Sequence, residues 1–156
     1  MPACAQELRT FFVTSVTAGR KNLLQSERMA LLLLDVLNDN RKKSRFSLHE
    51  FVIMPNHFHL LITPAEDISL EKAVQYIKGG FSFRAGRELQ LRGDIWQKGF
   101  TNHRVNSSDD YEKHRAYIRE NPVLRGLCST SEQFPYSSAN PGTECDPPPP
   151  WLKPRR

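Results

Sequence analysis

The stretch of sequence that decides the fold covers residues 47–63 and reads Ser-Leu-His-Glu-Phe-Val-Ile-Met-Pro-Asn-His-Phe-His-Leu-Leu-Ile-Thr. It contains two runs rich in apolar and β-branched residues, 47–54 and 57–63, separated only by Pro55 and Asn56. Runs of this kind favour strands, and a Pro-Asn pair favours a tight turn. The stretch therefore predicts a β-hairpin.

The segments before the hairpin add a strand and a helix. Residues 10–16 are rich in β-branched and aromatic side chains and predict a strand. Residues 26–37 contain five leucines and no Gly or Pro, which predicts a mostly buried helix. The polar segment 38–43 is expected to end that helix in a turn.

The segment after the hairpin predicts a second helix, which begins near Ser69. Apolar residues recur there at helical spacing, at Leu70, Ala73, Val74, Ile77 and Phe81. Two adjacent glycines, Gly79 and Gly80, interrupt the pattern, and each costs about 1 kcal/mol relative to alanine in a helix. The pair indicates either an end or bend of the helix, or a close approach of the backbone to a ligand.

The last third of the body predicts a strand followed by a helix. Residues 95–105 have an extended pattern, and Ser107 with Asp110 matches a capping box that starts a helix. This helix is expected to end near Glu120, because Pro122 disfavours helical geometry at the preceding residue. The order of strand, helix, hairpin, helix, strand and helix predicts an α+β fold, with an antiparallel sheet and helices on one face.

Composition excludes several classes of protein. The chain has 156 residues, 22 Lys plus Arg and 17 Asp plus Glu, so one basic domain is expected. No apolar run approaches the ~20 residues of a membrane span, and three cysteines without a Cys-x-x-Cys pair argue against a disulfide framework or a thiolate zinc site. The first residues resemble no secretion signal, so we expect a cytoplasmic protein with no membrane partner.

Proline marks the expected domain boundary. Six of the eleven prolines follow position 140, and four of them are consecutive at 147–150. Such a run enters neither a helix nor a central strand. We expect a single domain over residues 1–136 and a Pro-rich, basic, flexible tail over residues 137–156.

Two histidines on the second hairpin strand form a candidate metal site. Side chains alternate along a strand, so His57 and His59 point to one face while Phe58 and Leu60 point to the other. Two imidazoles in this arrangement can hold one divalent metal ion. Two surface or hydrogen-bonded histidines are the alternative interpretation.

The last predicted helix carries a candidate nucleophile. Tyr117 and Asn121 lie four residues apart on one helix face, with His114 three residues before the tyrosine. A tyrosine oxygen can attack phosphorus, and an amide oxygen can bind a hard metal ion. A single tyrosine on a helix more often packs in a core or an interface.

Four motifs in order resemble a known family. Residues 52–61 resemble the His-hydrophobic-His signature of the single-tyrosine HUH transposases. Residues 117–127, Tyr-Ile-Arg-Glu-Asn-Pro-Val-Leu-Arg-Gly-Leu, resemble the catalytic helix of the branch known as REP-associated tyrosine transposases. Residues 76–82 and 96–105 resemble the intervening segments of these insertion-sequence transposase-like proteins.

The resemblance implies a fold, a reaction and its partners. The fold is a ferredoxin-like or RRM-like antiparallel sheet, with the histidine pair on a central strand and the catalytic tyrosine on a C-terminal helix. Mg²⁺ or Mn²⁺ would be bound by His57, His59 and Asn121, and Tyr117 would attack single-stranded DNA to form a 5′-phosphotyrosine intermediate for strand transfer. The implied partner is a palindromic REP-type hairpin, and the implied protein is a monomer or a homodimer.

Basic and aromatic residues near these motifs are candidates for DNA contacts. Basic side chains contact phosphates, and aromatic rings such as that of Tyr76 stack on unpaired bases. The predicted DNA-binding residues are Lys78, Arg84, Arg87, Trp96, Lys98, Phe100, His103, Arg104, Lys113 and Arg115.

Two other functions remain open from the sequence. A non-catalytic or domesticated single-stranded nucleic-acid-binding protein would bind DNA without metal. A metal-dependent phosphodiesterase acting on small molecules would use metal-bound water and would tolerate the loss of the Tyr117 hydroxyl.

Overall fold

A computed structural model of the chain describes residues 8–152. It contains four strands and three α-helices, with two short 3₁₀ helices at Ala18–Arg20 and Ser131–Gln133. In chain order the main elements are β1 (Thr10–Val16), α1 (Glu27–Lys42), β2 (Phe46–Met54), β3 (His57–Pro64), α2 (Leu70–Leu89), β4 (Thr101–Val105) and α3 (Ser108–Leu124). Within residues 8–152, no helix is both long enough and apolar enough to cross a membrane.

The four strands form one antiparallel sheet in the order β2-β3-β1-β4. The first six elements follow the β-α-β-β-α-β order of ferredoxin-like folds, in which each crossover helix joins strands that are not neighbours. The α+β class, the ferredoxin-like sheet and the hairpin of β2 and β3 predicted from the sequence are therefore confirmed. The helix α3 is an addition after β4.

The sheet is covered on both faces, which corrects the expectation of helices on one face. Phe58 and Leu60 of β3 pack into the core formed with α1 and α2. Leu61 packs into a second core on the other face, together with Tyr111 and Ile118 of α3. Every residue of β3 is buried, and a strand that is buried on both sides has a cover on each.

The helix α1 continues through most of the segment 38–43, which was predicted to form a polar turn. The side chain of Asn40 is buried. Its Nδ2 donates a hydrogen bond to the Val36 main-chain carbonyl at 2.9 Å, and its Oδ1 accepts one from the Arg45 guanidinium at 2.7 Å. These bonds satisfy a polar side chain inside the last turn, so the helix ends only at Lys42.

The helix α2 passes through the two glycines without a break, so neither an end nor a bend occurs there. A Cβ atom built on Gly80 would lie 3.4 Å from Cγ1 of Val36 in α1, whereas one built on Gly79 would meet nothing within 4 Å. The close approach at Gly80 is therefore to the neighbouring helix and not to a ligand.

The helix α3 begins as predicted and ends later than predicted. The Ser107 hydroxyl accepts a hydrogen bond from the Asp110 backbone N–H at 3.1 Å. The helix then continues through Pro122 to Leu124. Pro122 and Asn121 are buried, and the Arg125 N–H donates to the Asn121 carbonyl at 3.0 Å, so packing and the next bonds hold the last turn.

The predicted strand over 95–105 is shorter than expected. Trp96 forms only an isolated bridge with Thr17, and Gly99 has a positive φ of 81°, which takes the chain out of the extended conformation before Thr101.

The expected boundary at residue 136 falls inside a packed segment. Ser138 donates its backbone N–H to the Phe51 carbonyl at 2.9 Å, and Asp146 donates its own to the Leu48 carbonyl at 2.7 Å. Ser137 is fully buried in a bridge with Val52. Residues 137–146 thus lie along β2 because its free edge offers unpaired backbone groups. Residues 153–156 of the expected tail lie outside the described residues.

Candidate functional site

The two histidines of β3 point to the α3 side of the sheet, with ring centroids 4.8 Å apart. Each has an oxygen partner at Nδ1: the Thr14 hydroxyl lies 2.7 Å from His59, and the Asn56 side-chain oxygen lies 2.7 Å from His57. A neutral imidazole that donates at Nδ1 leaves a lone pair at Nε2. Oxygen partners of this kind are common behind metal-binding histidines, because they fix the tautomer and the ring orientation.

Burial keeps both imidazoles neutral. It lowers the pKa of His57 to about 4, with further contributions from the positive charges of Arg125 and Arg20. Burial lowers the pKa of His59 to about 3, with smaller contributions from His57 and Arg125. At neutral pH both rings can therefore donate an electron pair.

Tyr117 lies beside the histidine pair. Its ring makes an edge contact with His59 at 5.2 Å between centroids and another with Phe12 at 5.9 Å. The residue is 45 % exposed, so one edge of the ring is packed while the rest faces solvent. The structure brings the predicted nucleophile next to the predicted metal pair.

Asn121 lies four residues after Tyr117 and four before Arg125, on one face of α3. It is buried, and its side-chain oxygen has no hydrogen-bond partner within residues 8–152. The Nε2 atom of His59 is also buried and without a partner in that part of the chain. Such atoms are costly unless something else binds them.

An open cleft of about 510 Å³ lies over the histidine pair and Tyr117. It is lined by His57, His59 and Tyr117 together with three cationic side chains, Arg20, Lys98 and Arg125. Phe100 lines the same cleft and also packs against the core below it. Of the predicted DNA-binding residues, the structure brings Lys98 and Phe100 to this cleft.

Other predicted DNA-binding residues are held in contacts within the protein. Lys78 donates to the carbonyls of Gln97 and Gly99 at 3.1 and 2.8 Å. The Trp96 ring packs in edge contacts on Phe58 and Phe81, and its N–H donates to the Lys78 carbonyl at 3.0 Å. These contacts hold one side of the partly exposed Trp96 ring on the core, and its stacking on a base stays a prediction.

Three more candidates lie in the helical layer on the opposite side of the sheet. Arg84 of α2 pairs with Asp35 and Glu88, each at 2.6 Å. Arg87 of the same helix is exposed there, and Tyr76 is stacked under Arg45 at 3.9 Å. The structure does not bring these residues to the cleft.

The remaining candidates lie on β4 and α3. His103 bonds to Asp110 at 2.8 Å, and Arg115 pairs with Glu50 and Glu112 at 3.5 and 3.6 Å. Two further candidates are exposed: Arg104 and Lys113.

Sequence reasoning missed several residues of the cleft. Thr14 and Asn56 orient the histidines, and Arg20 with Arg125 supplies positive charge. Asn56 and Arg125 lie inside the quoted motifs, so their positions were a usable signal. Arg20 lies outside the quoted motifs, and it reaches the cleft from a left-handed turn in which its φ is 54°.

Comparison with protein families decides the assignment of the chain. Residues 6–121 match the family described as "Transposase IS200 like". The chain belongs to the IS200-like transposase family. It is 27 % identical over 130 residues to the REP-associated tyrosine transposase of Escherichia coli K12, covering 83 % of this chain and 75 % of that protein. The family resemblance inferred from the motifs is confirmed.

Solved structures share the fold of this family member. A REP-associated tyrosine transposase bound to a REP hairpin superposes with a TM-score of 0.70 at 27 % identity, covering 83 % of this chain and 75 % of that chain. A crystal structure of a Deinococcus radiodurans protein has a TM-score of 0.56 at 20 % identity, covering 78 % and 95 %. The second match supports the fold alone.

Proposed function

We propose that this transposase-family protein cleaves and transfers single strands of DNA through a 5′-phosphotyrosine intermediate, with Tyr117 as the nucleophile. The observation that carries the proposal is that two buried atoms have no hydrogen-bond partner within residues 8–152, Nε2 of His59 and Oδ1 of Asn121. The His59 ring contacts the Tyr117 ring, and Asn121 lies one helical turn after Tyr117 on the same face of α3. Their burial without a partner is explained if a cation binds there.

The residues present fit a divalent metal ion. His57 and His59 would hold it through Nε2, because each Nδ1 is bonded to an oxygen. Asn121 would add an amide oxygen, a ligand that suits Mg²⁺ or Mn²⁺. When bound, the ion would act as a Lewis acid that polarises the phosphate to be attacked.

The chain's own residues would carry out the exchange of bonds. The Tyr117 oxygen would lose its proton and form a bond to phosphorus, while the bond from phosphorus to the 3′-oxygen breaks and that oxygen takes up a proton. The products would be a 5′-phosphotyrosine and a free 3′-hydroxyl. Because the covalent link conserves the bond energy, a second 3′-hydroxyl would reverse the step on another strand.

Positive charge in the cleft would position the DNA. Arg20, Lys98 and Arg125 line it, and such residues fix the backbone without reading its sequence. The relative whose structure was solved is bound to a REP hairpin. We propose palindromic REP-type hairpin DNA as the substrate of this chain too.

The proposal is tested by trapping the intermediate. The protein is incubated with Mn²⁺ and end-labelled single-stranded hairpin DNA, and adducts are resolved on a denaturing gel. We expect a shifted band for the native chain, and none for Tyr117→Phe or with EDTA. Tyr111→Phe is the matched control, because Tyr111 lies on the same helix and is buried away from the cleft.

The DNA affinity of Tyr117→Phe separates a failed nucleophile from failed binding. We expect it to equal that of the native chain within roughly threefold, because phosphate contacts carry the affinity. A denaturation-resistant adduct formed by Tyr117→Phe would exclude Tyr117 as the nucleophile.

A further inference from the structure

A second group of metal-binding side chains lies apart from the histidine pair, where β4 meets the first turn of α3. It consists of His103, Asp110 and His114, whose ligand atoms all lie within 4.8 Å of one another. The Asp110 carboxylate lies between the rings, at 2.8 Å from Nε2 of His103 and 3.2 Å from Nδ1 of His114. The two imidazoles stack at 4.9 Å.

The cluster is held in place from several sides. The β4 strand carries His103, and the helix carries the other two residues four positions apart. The carboxylate also accepts the Asn106 N–H at 3.4 Å, and Nδ1 of His114 lies 2.8 Å from the Asp110 main-chain oxygen. The Phe12 ring packs on His114 at 4.5 Å. These contacts hold Asp110 and His114, while the His103 ring remains exposed.

We infer that His103, Asp110 and His114 form a second divalent-cation site, with a two-imidazole, one-carboxylate donor set that suits Zn²⁺ or Co²⁺. Donor atoms around a tetrahedral ion of this kind lie about 3.4 Å apart. The exposed His103 ring, 52 % accessible, can rotate to close the remaining distance. Each ring would bind the ion through a nitrogen that carries no proton. Where that nitrogen now donates a hydrogen bond, as His103 does to the Asp110 carboxylate, the bond to the ion would replace it.

Such an ion would join β4 to the helix that carries Tyr117. His114 lies one turn before Tyr117, and Phe12 contacts both rings. The site would also leave an open coordination position towards solvent, because the three residues fill only part of the sphere. This inference does not depend on the proposed metal site at His57, His59 and Asn121.

The test counts Co²⁺ ions bound per chain by equilibrium dialysis of the full-length protein. We expect His103→Ala and Asp110→Asn to bind one ion fewer than the native chain, or to bind it roughly tenfold or more weakly. Asn102→Ala is the matched control, because its side chain lies on the same strand but faces away from the cluster, so we expect it to retain the native count.

The outcomes separate this site from the proposed catalytic one. His59→Ala is expected to lose a different ion, so that the double variant with His103→Ala loses both. If His103→Ala and Asp110→Asn keep the native count and affinity, the inference is overturned, whatever His59→Ala does. If only His59→Ala keeps the native count, the cluster remains a cation site and the proposed catalytic site fails instead.

Discussion

The carboxylate of Glu50 supports the helix that carries Tyr117, and its removal should destabilise the fold measurably. Glu50 lies on β2 under α3, with its side chain only 8 % exposed. It accepts hydrogen bonds from Arg119 at 2.8 Å and from the Ser138 hydroxyl at 2.7 Å. It thus connects the sheet, α3 and the C-terminal segment.

The expected cost of Glu50→Ala follows from these partners. A hydrogen bond to a charged group contributes about 1.5–3 kcal/mol, and breaking a fully buried pair costs about 3–5 kcal/mol. Arg119 is 30 % exposed and can be partly rehydrated, and Ser138 can still donate to the Phe51 carbonyl at 3.1 Å. We therefore expect the free energy of unfolding to fall by about 2–4 kcal/mol.

Urea unfolding followed by circular dichroism measures this loss at constant m-value. The matched control is Glu112→Ala, because Glu112 is 62 % exposed and lies 3.6 Å from Arg115. An exposed pair contributes less than about 1 kcal/mol, so the control should stay close to the native chain. If the two variants lose equal stability, Glu50 does not anchor α3 as the structure indicates.

Three further predictions concern pH, packing and charge. Burial lowers the pKa of His57 to about 4 and of His59 to about 3, so the unfolded chain binds protons first as the pH falls below about 6.5. As the pH is lowered, the free energy of unfolding in EDTA should then fall by up to about 1.4 kcal/mol per pH unit for each histidine. A urea midpoint that does not change with pH would contradict this. Gly80→Leu should cost about 1–3 kcal/mol in urea unfolding by overpacking against α1, while Gly79→Leu, with open space, should not destabilise; equal losses would argue against the helix contact. Arg125→Gln should weaken single-stranded DNA binding and reduce the slope of log affinity against log salt by about 1; fluorescence anisotropy at several salt concentrations would show an unchanged slope if Arg125 touches no phosphate.

Local patterns predicted the elements that depend on local rules. The hairpin and the shared face of His57 and His59 follow from the two-residue period of a strand. The Ser107 cap follows from residues three positions apart. Features of this kind are predictable because the residues that determine them lie within a few positions of each other in the sequence.

Features decided by distant residues were not predictable in this way. The course of α2 through Gly80 depends on its contact with Val36 in another helix. The later end of α3 depends on the burial of Pro122, and the packing of residues 137–146 depends on the free edge of β2. In each case tertiary contacts outweigh a local propensity of a few kcal/mol at most.

The site shows the same division. Tyr117 and Asn121 were found from their spacing and from the resemblance to a family. The packing of Trp96 on Phe81 and the ion pairs of Arg84 appear only in the folded chain. A basic or aromatic residue has the same sequence pattern whether it contacts DNA or its own protein. Glu50 and Arg20 carried no local signal at all.

The central claim is that Tyr117 becomes covalently bonded to DNA, and mapping the bonded residue tests it most directly. The chain is reacted with hairpin DNA and Mn²⁺, the adduct is digested with nuclease and protease, and the peptides are sequenced by mass spectrometry. We expect a nucleotide attached through its 5′-phosphate to the peptide that contains Tyr117. A nucleotide found on another residue, or cleaved DNA with no modified peptide, would contradict it.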